Sequence, residues 1–291
     1  MAELISIIVA TYNREDALDA VLRSLSSQGD RDFELIVADD GSGPATRQLI
    51  ESWRPTFGGR LIHVWHQDRG FRLAEIRNRA ILRCSGTICI FIDGDCIVRP
   101  NFVAVHRRLA EPGWFVAGNR VLLGRRLTER ILSRQLRPEQ WPLAAWVNAR
   151  RSRDVNRLLP LLTLPLGPLR KLDAQNWQRA RGTNLAIRRE DLLRVNGFDS
   201  AYSGWGREDS DLVVRLIRSR IGCKDGRFAS GVLHLWHPEH DRSQMMRNDH
   251  MLDSVIGSDR IAATQGLSDL PAPATEGLWS HPSASPEGLP L

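Results

Sequence analysis

Thr87-Ile-Cys-Ile-Phe-Ile-Asp-Gly-Asp95 is a run of β-favouring apolar residues that ends in two carboxylates one residue apart. An apolar run of this kind predicts a strand buried on both faces, as in a sheet covered by helices on either side. Ligands of open α/β sheets sit just beyond the carboxyl ends of the strands, where Asp93 and Asp95 stand. Two carboxylates so close resist joint ionisation unless a cation neutralises them. Their hard oxygens suit Mg2+ or Mn2+, and such an ion suits a bound diphosphate. The plain alternative is an acidic turn closing a strand, so the pair gains weight only from the rest of the chain.

Before this stretch the pattern repeats. Leu4-Ile-Ser-Ile-Ile-Val-Ala10 and Phe33-Glu-Leu-Ile-Val-Ala38 read as buried strands, and Leu61-Ile-His-Val-Trp65 as a third. Between them Ala17, Leu18, Val21, Leu22 and Leu25 recur at helical spacing, and a helix is expected around 45–53. Asn13 followed by Asp16 has the form of a capping box. Leu73, Ile76, Ala80 and Ile81 mark a further helix. Strands alternating with helices at this pitch call for right-handed βαβ units and a mainly parallel, Rossmann-like sheet with helices on both faces. Polar residues gather at the strand ends: Thr11-Tyr12 after the first and Asp39-Asp40-Gly-Ser after the second.

The ordered set of the first strand, Asp39-Asp40-Gly-Ser, Arg77-Asn78 and Asp93-Gly-Asp95 resembles the N-terminal half of inverting family 2 glycosyltransferases of the GT-A fold, over about the first hundred residues. That resemblance implies that Thr11 and Tyr12 help hold a nucleotide, that Asp40 meets the uracil edge with Arg77 nearby, that Asp93 touches the ribose and that Asp95 ligates the metal. Taken without the resemblance, Arg77 reads as a base on a helix surface and Asp40 as a turn acid.

Downstream, a short helix is expected at 101–110, a strand at Trp114-Phe-Val-Ala117 and a helix at 127–136. From 137 to 180 the pattern weakens. Trp141, Trp146 and Trp177 lie among arginines, and three prolines between Leu158 and Pro168 forbid a regular helix there. This reads as a basic, irregular insertion. It suits either an acceptor-binding or membrane-facing flap or an ordinary solvated excursion.

Gly204-Trp-Gly-Arg-Glu-Asp209 is the most specific motif of the chain. It resembles the acceptor-side motif of galactosyltransferase-like GT-A enzymes, which include β-1,4-galactosyltransferases and chondroitin polymerases. The resemblance implies that Asp209 is the catalytic base, that Glu208 binds or orients the acceptor and that Trp205 offers an aromatic face to sugars. Core packing is the alternative for Trp205. Acids in a first helical turn are also favoured by the helix dipole, the reading preferred for Asp211. A strand is expected over 227–236. In the resembled enzymes a histidine beyond the base completes the metal site; His234 is favoured here, with His237 as the alternative. Met245 and Met246 are expected to pack.

The composition fits these readings. The chain has 291 residues, 42% hydrophobic and 25% charged, with a formal charge of +6. Residues 120–181 hold 14 Lys or Arg against four acids, a net of +10, so the remainder is slightly acidic at −4. No nucleic-acid motif accompanies that charge. The four cysteines form no Cys-x-x-Cys pair, and no apolar stretch is long enough to span a bilayer, so a cytoplasmic setting is expected, with contact at the inner face of the plasma membrane as an extension.

Three segments are expected: a nucleotide-sugar-binding half (1–118), an acceptor-binding half (119–265) with the basic insertion, and a Pro/Ser/Gly-rich disordered tail (266–291). The expected activity is inverting, metal-dependent (Mn2+ or Mg2+) transfer from a nucleotide-sugar donor, a UDP-sugar, to a glycan or lipid-linked acceptor in cell-surface polysaccharide biosynthesis, lipopolysaccharide included. The alternative is a nucleotide-sugar-binding or membrane adaptor module without turnover.

Overall fold

The computed structural model describes residues 3–180 and 182–271. Strands β1 (Ile5–Thr11), β2 (Phe33–Asp39), β3 (Leu61–Trp65) and β4 (Ile88–Asp93) alternate with helices α1 (Glu15–Ser26), α2 (Pro44–Trp53) and α3 (Leu73–Ile81). β1 lies between β2 and β4, parallel to both, and β3 pairs parallel with β2. β5 (Cys96–Ile97) and α4 (Phe102–Leu109) follow, then β6 (Trp114–Ala117), β7 (Arg120–Leu122), α5 (Arg125–Ser133) and α6 (Leu143–Arg151). The chain returns through β8 (Asn184–Arg188), α7 (Arg189–Arg194), α8 (Glu208–Arg218), β9 (Gly222–Asp225), β10 (Val232–His234) and α9 (Met245–Ile256).

The main sheet has seven strands in the order β3-β2-β1-β4-β8-β6-β9. β8 enters antiparallel to both β4 and β6, so the parallel half ends at β4. A second sheet, β5-β10-β7, stands beside the end of β4.

Alternation along the strands explains the layering. Ile5, Ile7 and Val9 point to one core with Leu35, Val37, Ile88, Ile90 and Ile92, covered by α1, α4 and α5. Ile8, Ile36, Cys89, Phe91, Leu185 and Ile187 point to the other, with apolar side chains of α3, α7 and α8. A strand rises one residue per face flip, so a continuous apolar run serves both cores at once.

Several expectations change. Asn13 does not cap α1: its Oδ1 accepts from the Gly43 N–H (2.9 Å), and Arg14 occupies the cap position without a side-chain bond. The supposed strand over 227–236 shrinks to Val232–His234, while β9 forms on an edge whose Lys224 and Asp225 hide any apolar alternation. The basic segment is not irregular throughout. α6 forms within it, and Trp146 and Ala149 are buried against the core, with Trp141 and Trp146 rings 5.2 Å apart. Met246 is 74% exposed and does not pack. Residues 266–271 of the expected tail pack through Leu267, which is buried and whose N–H bonds to the Asn196 carbonyl (3.1 Å). Residues 272–291 of that tail lie outside the described residues. The four cysteines are buried and free. No helix among the described residues is long and apolar enough to cross a membrane.

One buried group fastens the seam. His106, on α4, has no exposed surface; its Nε2 lies 3.2 Å from Asn184 Oδ1, and its Nδ1 has no partner. The Asn184 amide in turn donates to the carbonyls of Asn119 (3.2 Å) and Ser230 (2.5 Å), tying β8 to both neighbouring segments. Burial pushes the imidazole down to about 4. An unfolded imidazole binds its proton near pH 6.5. Between these values the unfolded chain holds more protons, so stability present above pH 6.5 is lost as pH falls toward 4. The full loss amounts to about 3 kcal/mol at 1.36 kcal/mol per pH unit. Urea unfolding at pH 7 and pH 4.5 should show most of this difference, and His106→Gln should flatten it. An unaltered pH dependence in the variant refutes the assignment.

Candidate active site

The parallel strands end together, and their ends carry the chemistry. β1 runs into Thr11-Tyr12, β2 into Asp39-Asp40 and β4 into Asp93-Gly94-Asp95. Gly94 is required by crowding. Its N–H donates to the Ala10 carbonyl (2.6 Å), and a Cβ there would lie 2.9 Å from that oxygen and 3.0 Å from Thr11 Oγ1. The absence of a side chain lets the two carboxylates turn around the end of β1.

Arg77, on α3, is the centre of the site. Its side chain is almost wholly buried, against the expectation of a helix-surface base. Nη2 donates to Asp93 Oδ1 (2.9 Å) and to the Gly182 carbonyl (3.2 Å); Nη1 faces Glu208 Oε1 at 3.5 Å. The guanidinium also lies 5.4 Å from the centre of the Phe198 ring. Its partners are Asp93 and Glu208, and neither Asp40 oxygen bonds to it. Asp40 instead holds His66 Nε2 at 2.6 Å and accepts from the Arg72 N–H at 2.8 Å. Thr11 Oγ1 is buried without a partner, and Tyr12, 47% exposed, donates to Asp68 Oδ2 (2.9 Å).

Glu208 and Asp209 open α8. The preceding turn needs left-handed backbone: φ is 71° at Gly204, 102° at Gly206 and 81° at Arg207. The glycines adopt this conformation freely. Asp209 Oδ2 accepts from the Gly182 N–H (2.8 Å) and Oδ1 from Ser210 N–H (2.7 Å). Glu208 is buried; burial first, then the charge of Asp209, push its carboxyl up to about 7, opposed by Arg77. Burial, aided by the charge of Asp95, also raises the Asp93 carboxyl, against the pull of Arg77. Trp205 is partly exposed, and Arg242 stacks on its ring at 5.1 Å. Asp211 lies in the first turn of α8, as expected, but is also fully buried, and Arg215 Nε donates to its Oδ2 (2.7 Å).

On the second sheet β10 brings two histidines to Asp95. His234 Nε2 lies 3.6 Å from one Asp95 oxygen and His237 Nε2 3.5 Å from the other. Ligand atoms of Asp93, Asp95, Cys96 and His234 all lie within 4.8 Å of one another. The histidine–carboxylate gaps are too long for hydrogen bonds and suit donors that share one cation. Carboxylate oxygens with imidazole nitrogen fit a divalent metal. Burial, aided by the charges of Asp95 and Asp93, keeps the Cys96 thiol well above its ordinary value. Asp95, His234 and His237 would hold the ion, with Asp93 beside it. His240 extends the cluster, its ring 4.8 Å from that of His237.

Sequence reading missed His240, although the spacing His234-x-x-His237-x-x-His240 is visible in the chain. It also missed Gly182, whose backbone meets both Arg77 and Asp209; no sequence signal marks a residue that acts through its peptide groups.

Comparisons with known proteins bear on the family and the fold. The model of glycosyl transferase family 2 matches residues 6–164, and that of the N-terminal domain of galactosyltransferase matches residues 171–241. The validoxylamine A glucosyltransferase of Streptomyces hygroscopicus subsp. limoneus is 30% identical over 240 residues, covering 79% of this chain and 51% of that protein. The chain thus spans about half the length of that relative. A mannosyltransferase from Pyrobaculum calidifontis, solved in complex with GDP-Man and Mn2+, superposes with a TM-score of 0.57 at 17% identity, covering 88% of this chain and 64% of that one. S. aureus TarS 1-349 in complex with UDP-GlcNAc gives 0.53 at 16% identity, covering 87% and 66%. These likenesses establish the GT-A fold. A family model that takes in more than half the chain, with its strand-end carboxylates in place, makes this protein a member of glycosyl transferase family 2 whose C-terminal part is galactosyltransferase-like.

Proposed function

We propose that the chain is an inverting glycosyltransferase that moves a sugar from a nucleotide-diphosphate donor to an acceptor hydroxyl. The observation that carries this is Arg77, which joins Asp93 at the donor end to Glu208 of the acceptor motif, 131 positions away. A cation site and a general-base candidate thereby share one cleft.

Thr11, Tyr12, Asp40 and Asp93 hold the nucleotide in this reading, and Arg77 positions Asp93. Asp95 and His234, with His237, bind Mn2+ or Mg2+. When bound, the ion takes up charge on the departing diphosphate. Asp209 removes the proton of the attacking hydroxyl, and the Gly182 N–H fixes its orientation. Glu208, partly protonated near pH 7, donates a hydrogen bond to an acceptor oxygen, and Trp205 lies under the sugar. The donor is a UDP-sugar; TarS with UDP-GlcNAc supports the base, while the mannosyltransferase with GDP-Man makes guanine the competitor to exclude. The acceptor is a surface glycan or a lipid-linked one. Exposed Leu159, Leu162, Leu164, Leu169 and Leu172 within the basic segment support a peripheral contact with an anionic membrane.

Calorimetry of UDP, GDP and CDP, each with and without Mn2+, tests the donor half. UDP is expected to bind only with the metal, and Asp95→Ala to weaken that metal-dependent binding; unchanged binding in the variant rules Asp95 out as a ligand. Binding of no nucleotide to folded protein would favour an adaptor without turnover. His234→Ala and His237→Ala, run in parallel, identify the imidazole ligand by the larger rise in the Mn2+ requirement.

Asp209→Asn should lower kcat by about 10²–10⁴, the usual worth of a general base, with UDP affinity unchanged. Glu208→Gln should act chiefly on the acceptor KM and remove an inflection near pH 7. Near-normal turnover in Asp209→Asn, with a collapse of kcat in Glu208→Gln, would exchange the two roles.

A further inference from the structure

Beside the carboxylate cluster lies a cavity of about 430 Å³, bounded by residues of both sheets. Arg120 on β7 forms one wall; Arg157 and Arg170 come from the basic segment, and Arg227 follows β9. Thr183 also lines it, and the residue before, Gly182, is the one that holds Asp209. The cavity lining is therefore one residue along the chain from the peptide that orients the proposed base.

Its lining sets four guanidinium groups against two carboxylates, Asp173 and Asp225. Three of the four are engaged. Arg170 donates to the carbonyls of Asp225 (2.8 Å) and Arg227 (2.6 Å), Arg227 pairs with the Asp225 carboxylate, and Arg157 donates to the Arg120 carbonyl (3.1 Å). Arg120 is half-buried, and its guanidinium makes no hydrogen bond or ion pair among the described residues. It lies near enough to Asp93 to favour that carboxylate's ionised form. Next to it, the buried Asn119 Oδ1 lacks a donor. A partly desolvated guanidinium without a hydrogen-bonded counter-charge favours an anionic ligand, and an oxyanion supplies it.

We propose that this cavity receives the acceptor and that Arg120 reads an anionic group on it, a carboxylate or phosphate carried by the glycan. The proposal rests on Asp209 as base and names the acceptor class for that same site. Arg157, more exposed on the adjoining wall, widens the positive field without being the principal contact.

Methyl β-glucuronide, glucose 6-phosphate and the neutral methyl β-glucoside, titrated into the full chain with and without UDP and Mg2+ and followed by ligand-observed NMR, test it. The anionic probes should bind about tenfold more tightly than the neutral one, as expected for one charge-assisted hydrogen bond. Arg120→Gln should abolish that preference and leave UDP affinity unchanged; Arg157→Gln should reduce it in part, and serves if the first variant does not fold. Equal affinities, no binding of any probe, or an anion preference that survives Arg120→Gln overturns the proposal. Loss of UDP binding in Arg120→Gln would assign the arginine to the donor diphosphate and overturn it too. Failure of UDP to bind the unaltered protein would instead sink the transferase reading, while the anion preference measured without nucleotide would stand.

Discussion

The guanidinium of Arg77 is buried among carboxylates, and the architecture of the site follows from that burial. A charge withdrawn from water is tolerated only when it is paired and hydrogen-bonded. Arg77 meets that demand with Asp93, Glu208 and the Gly182 carbonyl. The demand reaches into the backbone as well. A Cβ at Gly182 would lie 2.7 Å from Arg77 Nη1, so a side chain there would displace the guanidinium or the loop. The same residue gives its N–H to Asp209, so one glycine sets both the cation and the proposed base. Breaking a buried pair of this kind costs about 3–5 kcal/mol, because the remaining charges stay behind without compensation.

The second constraint is the reversal at β8. The chain after β4 first returns to the main sheet at β6, and only after the basic segment does β8 insert antiparallel between β4 and β6. That reversal delivers Gly182 and Thr183 to the strand-end cleft, where the Gly204–Asp209 turn then meets them. The small sheet answers a similar need. β10 pairs antiparallel with β5, the strand that directly follows Asp95, so His234 is drawn to the carboxylate by sheet register rather than by a loop. Rigid elements therefore hold both halves of the cation site, as precise ligation requires.

The nucleotide end is arranged differently. Asp39 and Asp40 are buried and tied to histidines of the β3 side, His63 and His66 respectively, each at hydrogen-bond distance. These contacts fix the β2 end before any ligand arrives, while Tyr12 stays half exposed above it. A preformed wall with one adaptable aromatic reduces the ordering cost that binding would otherwise carry.

The sequence by itself determined the alternation of strands and helices, the covered faces of the sheet and the strand-end carboxylates. Local periodicity and continuous apolar runs encode these directly. Short motifs also marked Asp95, His234 with His237 as its alternative, and Asp209 as candidates, because such motifs keep chemical groups within a few residues. Only the tertiary structure decided that Arg77 pairs with Glu208 rather than standing on a helix surface, and that Asp211 is a buried partner of Arg215. It alone placed α6 inside the basic segment, where prolines and arginines obscure the pattern, and left Met246 in solvent. It also assembled the cavity at Arg120 from four separate stretches. The physical reason is that desolvation and charge pairing act between residues far apart in the chain. Their cost depends on what is brought together in space, and a one-dimensional pattern carries no record of it.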